Sequence, residues 1–312
     1  MGELIKLQAP TRIDIGICTF RRPGLEDTLL SLFALRVPEG VRLRLIVADN
    51  DAGPSARQLV DGLRQQSPFP IAYVHCPKSN ISIARNACLA ECDADYLVFI
   101  DDDETASPQW LAELLKVARE TGAAAVLGPV RSLYDAEAPD WMRQGDFHST
   151  MPVWVGKTIR TGYTCNVLLD MRSPDVEARR FSRALGQSGG EDTQFFSDIF
   201  ESGGVIAFAE GALVYEPVPA TRASLSWLVK RRFRFGQTHG RILAEKSNSL
   251  GVLKHAAVAG LKAAYCAVFT AATCLSPVRR NRNFLRGVLH VGTLSGVLGI
   301  REIRQYGTAE AA

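Results

Sequence analysis

The sequence predicts an α/β fold, a doubly wound and mostly parallel sheet of the Rossmann-like kind, followed by a basic helical segment. Three observations predict it. Short β-prone runs begin about every 25–30 residues through the first 130, with helical stretches between them, the pattern of repeated β-α-β units. One of these runs, Tyr96-Leu97-Val98-Phe99-Ile100, is apolar throughout and leads straight into Asp101-Asp102-Asp103. Such a run reads as a buried parallel strand that delivers acids to the rim of a sheet. Finally, the charge changes sign along the chain. Residues 1–220 carry 21 Lys/Arg against 30 Asp/Glu, whereas residues 221–312 carry 15 against 3.

The elements follow in order. Ile13–Cys18 is β-branched, and a polar turn leads into the helical stretch Leu25–Leu35. Val41–Ala48 alternates apolar and basic residues before Asp49-Asn50-Asp51, and a helix is expected from Ser55 to Gln66. Ile71–His75, a helix over Ile81–Cys92 and Tyr96–Ile100 repeat the unit, and a helix over Pro108–Glu120 leads to Ala123–Val130. Right-handed crossovers then place the strand C-termini, with Thr19, Asp49, Cys76 and Asp101, on one edge, where open α/β sheets bind ligands. Residues 131–165 are aromatic and Pro-interrupted, with Trp141, Phe147, Trp154 and Tyr163. They read either as excursions that shape a sugar pocket or as a loop packed on the core. Thr164–Leu169 returns to strand character. Gly189-Gly190-Glu191-Asp192 then enters the helical pattern Thr193–Glu201, where acids also serve as ordinary helix caps.

Three adjacent carboxylates repel one another, and a cation offsets that cost. Strand alternation puts Asp101 and Asp103 on one side, and two hard oxygen ligands suit Mn2+ or Mg2+ with a diphosphate completing the shell. A solvated acidic loop or a helix cap is the plainer alternative. No G-x-G-x-x-G follows the first strand and no G-x-x-x-x-G-K-[ST] occurs, so dinucleotide and P-loop readings lose their main support. The seven cysteines lack C-x-x-C pairing, which fits reduced thiols in a cytosolic setting. Met1–Pro10 has no cationic segment followed by an apolar one, so no secretory signal is expected.

Read together, Cys-Thr-Phe-Arg-Arg (18–22), Val-Ala-Asp-Asn-Asp (47–51), Ala-Arg-Asn (84–86), Phe-Ile-Asp-Asp-Asp-Glu (99–104) and Gly-Gly-Glu-Asp (189–192) resemble the family 2 inverting glycosyltransferases of the GT-A fold. The likeness runs over roughly residues 11–235, and within the family it is closest to the succinoglycan-type exopolysaccharide glucosyltransferases. The resemblance implies a nucleotide-sugar half over about 1–130 and an acceptor half over about 131–220. It implies that Thr19 and Asp49 line a uridine pocket, that Arg85 sits beside the nucleotide, and that Asp101 and Asp103 form the D-x-D pair, with Asp103 closest to the metal. Asp192 would be the general base, with Glu191 less favoured. Where many relatives place a further metal-ligating histidine, this chain has Glu216.

The tail, 221–312, is read separately. Lys230, Arg231, Arg232, Arg234 and Arg241 interleave with Trp227, Phe233 and Phe235, and no Q-x-x-R-W is present. In this family that absence implies one sugar per visit rather than polymerisation. Without a recognised nucleic-acid fold, no nucleic-acid partner is expected. Ala256–Ser276 has Lys262 as its only charge, and Gly287–Ile300 has none. If both crossed a bilayer, Arg279, Arg280, Arg282 and Arg286 would lie opposite the catalytic body, against the positive-inside rule. Val258, Leu261, Tyr265, Phe269, Ala272 and Leu275 recur at helical spacing, as in a helix lying in the membrane interface. A single C-terminal span, or a helical subdomain packed on the body, are the alternatives.

The expected function is transfer of one sugar, glucose by resemblance, from a UDP-sugar to a lipid-diphosphate-linked saccharide acceptor in exopolysaccharide assembly. The expected place is the cytoplasmic face of the inner membrane, peripherally attached. A nucleotidyltransferase acting on a sugar phosphate, and a non-catalytic membrane-bound assembly partner, are the rival readings.

Overall fold

A computed structural model describes residues 9–300; residues 1–8 and 301–312, and with them most of Met1–Pro10 and the end of the tail, lie outside it. The expected alternation appears first: β1 (Thr11–Thr19), α1 (Leu25–Phe33), β2 (Val41–Asp49), α2 (Arg57–Leu63), β3 (Ile71–His75), α3 (Ile81–Glu91) and β4 (Tyr96–Asp101). These strands pair in parallel, with Thr19 beside Asp49, Cys18 beside Asp101 and Asp49 beside His75. The register therefore brings the predicted edge residues together. Side chains alternate between two cores. Ile13, Ile15, Ile17, Leu45 and Val98 face one side with α1 and α4, the helix of Trp110–Thr121. Ile46, Leu97 and Phe99 face the other with Cys88 and Leu89 of α3. A sheet buried on both faces explains the near-continuous apolar runs.

After β4 the pattern becomes mixed. A short β5 (Thr105–Ala106) precedes α4, and the expected Ala123–Val130 strand divides into β6 (Ala125–Leu127) and the start of β7 (Val130–Tyr134). The break falls at Gly128-Pro129, where a Cβ on Gly128 would meet Asn166 Nδ2 at 2.4 Å. Then follow α5 (Asp140–Gly145), the hairpin β8 (Trp154–Val155) and β9 (Thr158–Ile159), β10 (Asn166–Asp170), α6 (Pro174–Glu177), α7 (Glu191–Glu201), β11 (Ile206–Phe208) and β12 (Val214–Val218). β10 runs antiparallel between β4 and β6 in a seven-stranded sheet of order β11-β6-β10-β4-β1-β2-β3. β5, β12 and β7 form a second, smaller sheet that carries the chain back to the acids.

The tail is three helices: α8 (Leu225–Glu245), α9 (Ser249–Ala272) and α10 (Pro277–Val297). α8 and α10 meet through glycines four residues apart. A Cβ on Gly236 or Gly240 would lie 2.0 or 2.2 Å from the carbonyl oxygen of Leu289 or Thr293. A Cβ on Gly292 or Gly296 would lie 2.1 Å from that of Phe233 or Gln237. The two backbones touch, as small-xxx-small helices do. Most of the apolar Gly287–Ile300 stretch belongs to α10 and packs on α8. α9 differs. Only Ala259 and Cys266 are buried in it, while Leu253, Leu261, Tyr265 and Val268 are at least 61% exposed. The predicted apolar stripe therefore faces outward, on the one described helix long and apolar enough to cross a membrane.

Gly236→Ala and Gly292→Ala should each destabilise the tail by about 1–3 kcal/mol, because neither backbone can retreat from a new methyl group without parting the helices. Limited proteolysis of the α8–α9 and α9–α10 connections reads this directly. Unchanged cleavage and melting would refute the backbone contact.

Candidate active site

β4 ends at Asp101, and Asp102-Asp103 form a turn that leads to Glu104. The three aspartates part company there. Asp102 is 7% exposed, accepts a hydrogen bond from Phe20 N at 3.4 Å, and is also bonded by the Thr19 side chain. Asp101 and Asp103 lie in each other's field together with Glu216. The pairing expected from strand alternation is thus reached through a turn. Glu104, 2% exposed, reaches back so that Oε2 accepts from Asp101 N at 3.0 Å. Asp101, Glu104 and Cys165 bring ligand atoms within 4.8 Å of one another.

So much buried negative charge leaves a mark on proton affinity. Burial, with Asp103, Glu216 and Asp192 adding to it and Arg85 opposing, pushes the Asp101 carboxyl up to about 6. Burial and Asp103 push Asp102 up to about 7. Glu104 rises well above the usual carboxylate range, by burial first and then by Asp101. Glu216 rises as well, through burial and Asp103. Oxygen-rich crowding of this kind fits a hard divalent cation. Asp101, Asp103 and Glu216, with Glu104 and Cys165 adjoining, are the residues that would hold it.

Positive charge arrives from two directions. Arg22, in the turn after β1, stands 3.8 Å from Asp102 and 3.7 Å from Asp103. Arg222, just before α8, bonds Glu216 at 2.9 Å and lies 3.7 Å from Asp103. Arg231 of α8 is in the field of Glu216 and donates to His148 O at 3.3 Å. His148 stacks on Trp227 with centroids 5.1 Å apart. Contacts cross the expected boundary at residue 220, since Arg222 pairs with Glu216 and Asp103 and Arg231 bonds His148 O.

The acids at the start of α7 separate cleanly. Glu191 is 3% exposed and paired in the interior with Arg85, which is 6% exposed and lies over the Phe181 ring. Burial pushes the Glu191 carboxyl up and Arg85 pulls it back. Asp192 is half-buried; its Oδ1 accepts from Thr193 N, and among the described residues no hydrogen bond reaches Oδ2. Its charge is felt at Asp101. Gly189 and Gly190, at φ 91° and 92°, make the left-handed turn that sets both acids at the helix start.

Two of the expected nucleotide contacts are otherwise engaged. Asp49 is wholly buried and accepts from Asp51 N (3.0 Å), Ala56 N (2.9 Å) and Tyr73 OH (2.6 Å). It shapes the loop after β2 from within, while Asp51 beside it takes Arg21 at 2.8 Å. Arg85 shares the edge but gives its guanidinium to Glu191. Glu104, Arg222 and Cys165 were not among the expected site residues. Only Glu104 carried a signal, as the last residue of the 99–104 motif.

Two outcomes follow. The folded chain keeps protons on Asp101 and Asp102 that the unfolded chain, with carboxyls near 3.8, has released, so metal-free stability falls as pH rises from about 4 to about 7. Melting curves of the wild type should drop across that window more than those of Asp101→Asn, and equal slopes would refute the buried acid. Glu191→Gln, by stranding Arg85, should cost about 3–5 kcal/mol, whereas Asp192→Asn should stay within about 0.5 kcal/mol. Denaturant unfolding distinguishes the two.

The sequence and the fold have known counterparts. The glycosyl transferase family 2 pattern matches residues 14–175. The succinoglycan biosynthesis protein ExoM of Rhizobium meliloti (strain 1021) is 60% identical over 298 residues, covering 96% of each chain. In three dimensions the chain is similar to the mannosyltransferase PcManGT from Pyrobaculum calidifontis, solved with GDP-Man and Mn2+, at TM-score 0.57 and 13% identity over 94% of this chain and 75% of that one. It is also similar to S. aureus TarS 1-349, at TM-score 0.52 and 14% identity over 93% and 92%. The fold is that of the GT-A glycosyltransferases, and the chain is a member of glycosyl transferase family 2.

Proposed function

We propose that this glycosyltransferase acts with inversion and adds one sugar per visit, taking glucose from UDP-glucose and giving it to a lipid-diphosphate-linked saccharide during exopolysaccharide assembly. The observation that carries the reading is the contrast at the start of α7. Glu191 is locked to Arg85, and Asp192 presents a free carboxylate oxygen in the field of Asp101. An inverting transfer needs one base, facing the sugar from the side opposite the leaving group. Asp192 takes the proton of the attacking acceptor hydroxyl in this reading, and Glu191 with Arg85 positions the helix that bears it.

The departing UDP gains negative charge as the glycosidic bond breaks. Asp103, Asp101 and Glu216 would hold Mn2+ or Mg2+, which would supply a Lewis acid for that diphosphate, and the solved complex of the similar mannosyltransferase with GDP-Man and Mn2+ supports that choice. Arg22 and Arg222, already beside Asp103, add fixed positive charge at the same rim. Thr19 and Asp49 stand at the nucleotide side, Asp49 acting through the loop it holds. Close likeness to a succinoglycan biosynthesis protein supports the exopolysaccharide setting.

The outward apolar stripe of α9 and the arginines of the tail support peripheral attachment to the cytoplasmic face of the inner membrane. There the enzyme meets a lipid-linked acceptor. A donor screen with purified protein, lipid-linked acceptors and Mn2+ or Mg2+ tests the reading by scoring UDP release. Release of pyrophosphate, or no metal-dependent turnover with any UDP-sugar, would overturn it.

Asp192→Asn should keep UDP-sugar affinity and lose about 10²–10⁴-fold in kcat, the usual worth of a general base. Binding measured by calorimetry beside turnover decides it, and a variant as fast as the wild type would remove Asp192 from the role.

A further inference from the structure

A second concentration of charge lies away from the acids. Between α5, α8 and α10 a pocket of about 360 Å³ is lined by Phe147, Arg232, Arg282, Arg286 and His290, with Asp146 at its wall. Three guanidinium groups converge there from two helices. Arg282 donates to Gly145 O at 3.0 Å and lies over the Phe147 ring. Among the described residues no carboxylate comes within ion-pair distance of Arg232, Arg282 or Arg286. The one acid in the lining, Asp146, faces Arg131 at 3.8 Å. Burial, and then Arg231, lower the proton affinity of Arg232, the signature of cationic charge left uncompensated. Three planar forks with no carboxylate at ion-pair distance are a recognition set for phosphate oxygens.

Position narrows the ligand. The nucleotide's place is at the carboxyl edge of the sheet, with the acids. Arg231, the neighbour of Arg232 on α8, donates to His148 O and lies over the Trp227 and Phe235 rings, outside the pocket lining, so the two arginines have different surroundings. α10, which supplies most of the pocket, packs on α9, whose outer stripe is apolar and exposed. In a lipid-linked acceptor the saccharide separates the reactive hydroxyl from the phosphates. Its phosphates therefore need a seat displaced from the acids and close to the membrane-facing helix. We propose that the Arg232/Arg282/Arg286 pocket binds the diphosphate of the membrane-anchored acceptor. This rests on the reading of the acceptor as lipid-linked.

Calorimetry with inorganic pyrophosphate, in metal-free buffer where the acid cluster repels anions, tests the pocket itself. The Arg232→Gln/Arg286→Gln double variant should bind at least tenfold more weakly than the wild type, and Arg232→Lys/Arg286→Lys should recover most of the loss. Thermal unfolding of each protein checks the fold. Sedimentation with phosphatidylcholine vesicles tests the source of the phosphate, comparing vesicles doped with a polyprenyl diphosphate against others matched in charge with phosphatidylglycerol. The wild type should prefer the diphosphate vesicles, and the glutamine variant should lose that preference. Undiminished pyrophosphate binding by the glutamine variant would overturn the site. Equal loss on both vesicle types, or no preference in the wild type, would overturn the lipid diphosphate as its ligand. Neither result bears on UDP release in the donor screen, so the site and the enzymatic reading fail separately.

Discussion

Repulsion among carboxylates at the carboxyl edge of the sheet is the constraint around which this molecule is arranged. Asp101, Asp102, Asp103, Glu104 and Glu216 are drawn together by β4, the turn after it and the returning β12. None of that crowding favours folding. It persists because the apolar runs of β1, β2 and β4 are buried on both faces and leave their ends nowhere else to go. Stability is concentrated in the sheet, and the rim gathers like charge that a cation would offset.

Basic residues from the far end of the chain answer that charge in part. Arg222 couples Glu216 to Asp103, and Arg231 extends the same field from α8. The charge asymmetry between the first 220 residues and the rest is thus more than a surface property. Some of the basic side pairs with the acids at the sheet edge, some lines a separate pocket, and the rest stands near an apolar helix surface. One stretch of sequence serves three surroundings because α8 turns successive residues toward different ones.

Much of this was legible in the sequence. The strand-helix alternation, the edge shared by Thr19, Asp49 and Asp101, and the outward stripe of α9 follow from local periodicity, which folding preserves. What periodicity cannot carry is pairing over distance. Asp49 and Arg85 sit where expected, yet their partners, Tyr73 and the loop amides for one and Glu191 for the other, lie up to 106 residues away. The antiparallel β10 inserted beside β4 reads as an ordinary strand in sequence, because direction leaves no mark in composition. The glycines of α8 and α10 gain meaning only when the helices are set side by side.

Gly190 carries one more implication. A side chain there would strike Thr238 Cγ2 at 2.4 Å, so α8 rests directly against the loop that presents Asp192. α8 is in turn fastened backbone to backbone with α10, and Leu228 shares a small core with Met142, Phe147 and Leu285. A chain cut at residue 220 would keep Asp101, Asp103, Asp192 and Glu216 and still lose the helix packed behind Gly190, along with Arg222 and Arg231. The helices after residue 220 and the sheet edge that holds the acids are therefore packed as a single mechanical piece.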